Sequence, residues 1–428
     1  MNVLIFTHGS RGDVQPFAAL AAALDDAGHH AILCAPKSSV LLPTHSGVEL
    51  IPLTEDLGKW MTEPEVLEAA ESNYRGLSGK RILLQVVRKV RGMMATVLDE
   101  MAYIAIELHD TGTRIDAVVH HVDLPAHEIA EMLRVPAIPV CLQPSWVPTS
   151  SFPNPEVPFT IPKVLNRLSY TTTRLRLRTF TGNTSSWRSN SLKLPRRRGH
   201  QNFLRTPGGK QSTIIQAFSR HLLPSQLNYP AQVHTSGFWF TPRVETQVPS
   251  NGLRSFLQTG PTPVYIGFGS MVGTSPERTS NLIVDAVERT GIRAVVVTGW
   301  GGIKETKNDN IFYLKQAPFD WLFPKVAAII HHGGSGTTGI ALVAGRPQVV
   351  CPFLPDQRYF GNRIHARGVG PEPIPQRALD ASRLSMSIQS ALGESHFAEN
   401  ADELAAQIRL EDGVRTAVKI IESVTSRD

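Results

Sequence analysis

Cysteine is scarce: the 428 residues hold three, Cys34, Cys141 and Cys351, each inside an apolar run and none in CxxC or Cys/His spacing. That scarcity excludes a disulfide framework and a zinc site, and the three read as small core residues of a reducing compartment. Long hydrophobic runs are lacking too. No stretch approaches the ~18 uninterrupted apolar residues that span a bilayer, so no membrane crossing is expected. The chain opens directly on Asn2-Val3-Leu4-Ile5-Phe6 without the basic flank and apolar region of a signal peptide, which predicts a cytoplasmic location. No internal repeat of fixed period is present.

Acidic residues are missing from one long segment. Between Val157 and Val244 stand fourteen Lys or Arg and no Asp or Glu, including Arg174, Arg176, Arg178 and the run Arg196-Arg197-Arg198. Such a patch suits nucleic acid or an anionic membrane surface. The bland reading is a solvated basic loop. No aromatic-interleaved RNA motif or recognition helix accompanies it, so no nucleic-acid partner is expected. Peripheral membrane contact through 157–244 stands as an expectation.

What is there is an ordinary globular composition, 41% hydrophobic and 19% charged, on a chain too long for one core. Two domains fit best. Val- and Ile-rich runs alternate with helical stretches, the pattern of parallel sheets wrapped by helices and hence of the α/β class. In the first half, strands are predicted at Val3–Thr7, Ala31–Ala35, Ala117–His121 and Ala137–Leu142, with helices at Val14–Ala27 and Ala126–Leu133. Sequence 145–217 is rich in Pro, Thr, Ser and Arg, with helical character only near Lys163–Leu177. Regularity returns with strands at Pro263–Gly267, Ala294–Thr298, Ala327–His331 and Gln348–Cys351, and helices at Arg278–Arg289 and Thr337–Ala344. Thr241–Ser250, with Pro242 and Pro249, is the best linker. The expected division is 1–240, linker 241–250, 251–411, and a C-terminal helix over 412–428 that packs back on the first domain.

The strongest chemical signal is Ile330-His331-His332-Gly333-Gly334-Ser335-Gly336-Thr337-Thr338-Gly339, between a strand and a helix. Glycines let the backbone approach a ligand, and a helix N-terminus presents unpaired N–H groups with a positive dipole end. His332 adds an imidazole donor, and Ser335, Thr337 and Thr338 add hydroxyls. The site suits a diphosphate, whereas the bland reading is a purely geometric turn. No Lys follows the last Gly, so it is not a Walker loop, and no carboxylate set for a metal stands beside it. Cys351-Pro352-Phe353-Leu354-Pro355-Asp356-Gln357 follows the next strand, so Asp356 and Gln357 are carried to the same sheet edge, where a carboxylate and an amide can hold sugar hydroxyls.

The counterpart in the first half is Thr7-His8-Gly9-Ser10-Arg11-Gly12-Asp13-Val14-Gln15-Pro16. Asp13 at the helix start reads either as an N-cap or as a base for an acceptor hydroxyl, acting late because its ordinary pKa is low. His8 is a candidate neighbour, and Ser10 and Arg11 are further donor-side candidates. Gly267, Gly269 and Gly273 give GxGxxxG instead of GxGxxG, and Thr298-Gly299-Trp300 lacks the acid that holds a ribose, so an NAD site is disfavoured. Gly269 and Ser270 remain candidates for a phosphate or sugar nest.

Four motifs in order, GSRGDVQP at 9–16, YIGFGSM at 265–271, DWLFP at 320–324 and the long run from His331 to Pro371, resemble the two-domain nucleotide-sugar glycosyltransferases of the GT-B fold. The similar branch holds sterol glucosyltransferases and the enzymes that glycosylate glycopeptide and polyketide antibiotics. Ser236-Gly237-Phe238-Trp239-Phe240 is similar to the segment leading into that family's linker. The resemblance implies two Rossmann-like parallel-sheet domains facing across a cleft. It puts Asp13 at the catalytic-base position, His332 and the turn Gly333, Gly334, Ser335, Gly336 and Thr337 on the diphosphate, Asp356 and Gln357 on the sugar, and Gln316 to Trp321 by the nucleobase. Ile340 stands where many relatives carry a ribose-binding Glu, so the choice between UDP and TDP is not assigned.

The implied reaction is inverting transfer of a hexose from a nucleotide sugar, UDP-glucose by resemblance, to a lipophilic hydroxyl, with no metal and no cofactor beyond that co-substrate. Trp60–Met61, Met93–Met94 and Trp146–Phe159 suit a flat hydrophobic acceptor such as a sterol, terpenoid or polyketide, or are ordinary core. The same motifs also fit two other classes: a non-catalytic nucleotide-sugar-binding or membrane-peripheral protein, and a UDP-sugar epimerase.

Overall fold

A computed structural model describes residues 1–38, 47–54, 76–157, 159–241, 249–269, 276–299 and 303–426. Ser270, Trp60, Met61, Trp300 and most of the expected linker lie outside the described residues.

The Val/Ile runs form strands buried on both faces, as parallel sheets require. In the first half they are β1 (Asn2–Phe6), β2 (His30–Pro36), β3 (Glu49–Leu53), β4 (Ala117–His121), β5 (Ala137–Cys141), β6 (Ile214–Gln216) and β7 (Val233–Thr235), in the spatial order β3-β2-β1-β4-β5-β6-β7. Every pairing is parallel, with Val3 opposite both Ala31 and Ala117. The second sheet holds β8 (Val264–Gly267), β9 (Ala294–Val297), β10 (Ile311–Leu314), β11 (Ile329–His331) and β12 (Gln348–Val350), in the order β10-β9-β8-β11-β12, again all parallel.

Helices cover both faces of each sheet. On one face of the first lie α1 (Arg11–Asp26) and, far along the chain, the last helix, whose Ala417, Val418 and Ile421 share a core with Phe17, Ala21 and Leu24 of α1. The other face is covered by α2 (Gly76–Asp110) and α3 (His127–Leu133), through Met94, Val97, Met101, Ala105 and Ile129. Two further helices, α4 (Thr171–Thr181) and α5 (Ser185–Asn190), occupy the stretch that reads as irregular. The second sheet carries α6 (Asn251–Gln258) and α8 (Ser335–Val343) on one face, and α7 (Pro276–Thr290) and α10 (Ala381–Gly393) on the other. The chain continues through α9 (Pro355–Ala366) and α11 (Ser395–Arg409) to α12 (Gly413–Thr425).

The two halves meet through an apolar cluster of their own. Phe152, Tyr170, Phe218 and Leu222 from the first half pack with Leu342, Phe360, Ile364 and Leu404 from the second. Arg363 pins the seam by donating from Nε to the Leu222 carbonyl at 2.7 Å and from an Nη to Leu223 at 3.3 Å. The chain returns to the first half at Gly413, where a Cβ would stand 2.4 Å from the Phe238 carbonyl oxygen, so only glycine permits that crossing.

One sequence reading needs revision and two are narrowed. No helix is predicted between β3 and β4, yet α2 runs for 35 residues. Of the two readings of Met93–Met94, ordinary core holds: Met94 lies under the first sheet, and Met93 packs against Val86 and Val90. Most cations of the basic stretch are exposed, but part of it is interior: Arg188 is 1% exposed, bonded to Glu131 by both terminal nitrogens and to Glu128 by one.

Candidate functional site

In an open parallel sheet the loops at the carboxyl ends of two strands diverge where the strand order reverses, and ligands collect in that crevice. In the first sheet the reversal falls between β1 and β4, in the second between β8 and β11. The four loops issuing there are the Asp13 loop after β1, the Asp123 loop after β4, the Gly269 turn after β8 and the His332 turn after β11. The helices that follow β1 and β11, α1 and α8, touch each other, so the two crevices open on a common cleft. Ser335, first residue of α8, donates its hydroxyl across that cleft to the Leu142 carbonyl at the end of β5, 3.1 Å away.

On the first side, Ser10 is the N-cap of α1 and Asp13 the third helical residue, not the cap itself. The backbone N–H and the hydroxyl of Ser10 both donate to Asp13 Oδ2 at 2.8 Å. One carboxylate oxygen is thus fixed by the capping box and the other is left over. Gly9, at φ +118°, lets the loop lie against that carboxylate: a Cβ there would sit 2.6 Å from Asp13 Oδ2. Thr7 donates to the Asp13 carbonyl at 3.0 Å. His8 is buried at the end of β1. Arg11 points along its own helix and donates to Gln15 at 3.2 Å.

On the second side, two adjacent histidines do different work. His331 is fully buried; its Nδ1 accepts from the Gly333 N–H at 3.1 Å, so the ring proton sits on Nε2 and is donated to Gln348 Oε1 at 2.8 Å. Burial, with a smaller contribution from His332, holds His331 down to about 3. That bond takes the Gly333 amide out of the set available to an anion. The free first-turn donors are those of Ser335, Gly336 and Thr337, because the Thr338 N–H already bonds the Gly334 carbonyl at 2.9 Å. His332 lies between two glycines: a Cβ on Gly334 would stand 2.5 Å from its Nε2, and one on Gly269 3.2 Å from its Cε1. Burial lowers it to about 4, so it is neutral at pH 7, and its buried Nδ1 has no hydrogen-bond partner among the described residues.

Asp356 and Gln357 open α9. Gln357 Oε1 accepts from the N–H groups of Phe353 and Leu354 at 2.8 and 3.0 Å, which commits its carbonyl to the turn and leaves its amide NH2 as the donor. Burial pushes the Asp356 carboxyl up, and Asp13 pushes it the same way, while first-turn amides and Arg176 pull it down. The Asp356 carboxyl therefore feels the charge of Asp13, a residue named from a separate motif. Glu156 is raised by burial and by Asp123 and Asp356, and lowered by Arg176, which it meets at 3.0 Å.

Asp123, Glu156 and Arg176 were not anticipated. Asp123 was findable, since it follows β4 by two residues and the rule that led to Asp356 applies to it equally. Arg176 sits mid-helix and carries no such signal. Gln316 is exposed after β10, and Trp321 is half-buried beneath Arg254 and Lys325, at 5.7 and 4.7 Å from its ring centre. The first half holds an open cavity of about 340 Å³, walled by Trp146, Tyr170, Leu177 and Phe203, with Asp123, Arg174, Arg178 and His200 among its polar groups.

Two doubly wound parallel sheets, each aiming its reversal-point loops into a shared cleft, define the GT-B class of glycosyltransferase fold. The solved structure of glycosyltransferase VinC in complex with DTDP has that fold and superposes with a TM-score of 0.65 over 100% of both chains, at 18% identity. Residues 300–421 match the family described as Erythromycin biosynthesis protein CIII-like, C-terminal domain. Along 98% of its length the chain is 31% identical to Sterol 3-beta-glucosyltransferase UGT80B1 of Arabidopsis thaliana, covering 67% of it, and 33% identical to UGT80A2 of the same plant, covering 65%. The chain belongs to this sterol-glucosyltransferase-like family of GT-B glycosyltransferases. It spans about two thirds of the length of those plant relatives.

Proposed function

We propose that this chain transfers a hexose from a UDP- or TDP-sugar to the hydroxyl of a lipophilic acceptor, with inversion at the anomeric carbon. The observation that carries the reading is the meeting of α1 and α8, which brings a carboxylate within electrostatic reach of the sugar-side Asp356 and of a glycine turn with free amides.

In this reading the amides of Ser335, Gly336 and Thr337, with the partnerless Nδ1 of His332 as donor, take the diphosphate and stabilise its charge as it leaves. Asp356 and the NH2 of Gln357 hold the sugar hydroxyls. The Asp13 oxygen not engaged by Ser10 accepts the acceptor proton as the new C–O bond forms on the face opposite the departing diphosphate. The acceptor lies in the cavity walled by Trp146, Tyr170, Leu177 and Phe203, whose size and apolar lining suit a sterol, terpenoid or polyketide. The sterol glucosyltransferase relatives support that class.

Asp13→Asn is the test. It keeps an acceptor oxygen for the Ser10 cap and loses the base, so transfer to a sterol should fall by about 10²–10⁴-fold while titration calorimetry records unchanged UDP affinity. An Asn variant that transfers at the original rate removes Asp13 from the role.

A further inference from the structure

We infer that α4 and the segment leading into it form a docking surface for an anionic lipid bilayer. Large apolar side chains stand in solvent there: Val164 is 89% exposed, Leu168 62% and Leu175 67%. Leu168 stands in the short helix Asn166–Ser169 that leads into α4, and Leu175 on α4 itself, seven residues further on. The opposite side, Tyr170, Thr173 and Leu177, walls the 340 Å³ cavity, and Arg174 and Arg178, exposed between the two sides, also line it. The neighbouring α2, packed on α4 through Val86, Val90 and Phe180, adds Leu84 at 70% exposed.

Charge decides what covers this face. Lys163, Arg167, Arg174 and Arg178 are exposed among the leucines, and none has an acidic partner among the described residues. The cations of the same stretch that do have acids, Arg176, Arg188 and Arg197, bond Glu156, Glu128 and Glu131 and serve the interior. From residue 76 to residue 98, α2 likewise carries five Lys or Arg and no acid. Apolar side chains projecting among the exposed cations Lys163, Arg167, Arg174 and Arg178 match a surface that is anionic outside and hydrocarbon beneath. Nucleic acid would match the cations and leave Val164, Leu168 and Leu175 in water.

The helix that touches the bilayer is then the wall of the acceptor cavity, so a lipid acceptor passes between them without crossing water. That last clause rests on the proposed transfer reaction; the docking does not, and its test reads partition alone.

The full chain is floated with phosphatidylcholine vesicles with and without phosphatidylserine, at low and high salt. Binding to the phosphatidylserine vesicles, at least roughly tenfold tighter than to phosphatidylcholine alone and released by salt, is expected. Leu168→Glu with Leu175→Glu should lose roughly tenfold or more of that binding with an unchanged circular dichroism spectrum, because both side chains are already in solvent. The inference is overturned if the unaltered chain stays unbound, or if the double variant binds as well as it does. It is equally overturned if sedimentation shows a dimer that the double variant breaks, which assigns the face to a second copy. A duplex oligonucleotide that binds both chains alike and displaces the vesicles also overturns it.

Discussion

His332 is held by what its neighbours lack. Gly269 and Gly334 leave room for the imidazole on two sides, and the ring cannot retreat from one without meeting the other. Gly334→Ala is therefore expected to displace it, lowering stability by about 1–3 kcal/mol and weakening UDP binding roughly tenfold. Gly336, one turn position further, faces open space, so Gly336→Ala should leave the fold intact or strengthen the helix by about 0.5–1 kcal/mol. Parallel thermal melts and UDP titrations separate the two; equal destabilisation would contradict the bracketed-ring geometry. Residue-level chemistry was only half legible in the sequence. The motif spacing pointed to the glycine turn, but which N–H groups are free depends on His331 accepting from Gly333, and the ring is turned that way by its Nε2 bond to Gln348, seventeen residues on and on the neighbouring strand.

At the scale of elements, the buried charges on α3 and α5 explain where part of the basic stretch goes. Burial raises Glu131, yet hydrogen bonds from Arg188 and Arg197 outweigh it and leave it below its ordinary value. Glu128, fully buried, also accepts from Thr184 at 3.0 Å and meets His200 Nδ1 at 2.9 Å. Arg188→Met removes the one cation that both glutamates share and should cost about 3–5 kcal/mol, read as a lower urea midpoint with earlier proteolysis in 182–200. If the midpoint does not move, the network is not stabilising. Charge spacing could not forecast this cluster, since its glutamates and arginines are some 57 to 66 residues apart. The stripe Val86, Val90, Met94, Val97, Met101, Ala105 has helical period, so α2 was readable from the sequence. β6 and β7, three residues each, are too short to show a period against the irregular sequence around them.

The whole molecule carries a pH dependence set by its buried imidazoles. His120 and His331 are held down to about 3, and His332 to about 4, chiefly by burial, with His127 adding to the effect on His120. An unfolded imidazole takes its proton near pH 6.5, whereas these remain neutral until pH 4 to 3. Their contribution is thus complete above pH 6.5 and is lost as the pH falls from there through 4 to 3. Melts between pH 7.5 and 4.5 should show a falling midpoint, and the His331→Gln variant should show a shallower fall than the unaltered chain. An identical slope in both would remove His331 from the account.

Local pattern alone determined the α/β class, the strands that carry the motifs and the turn that presents free amides, because strand period, glycine placement and helix starts are properties of neighbours in the chain. Tertiary structure decided the rest. That Asp356 feels the charge of Asp13, that α12 returns to lie on α1, and that Phe152 and Tyr170 cluster with Phe360 and Ile364 are all contacts between distant parts of the chain. Such contacts join residues some two hundred or more positions apart, a separation at which sequence spacing carries no distance information.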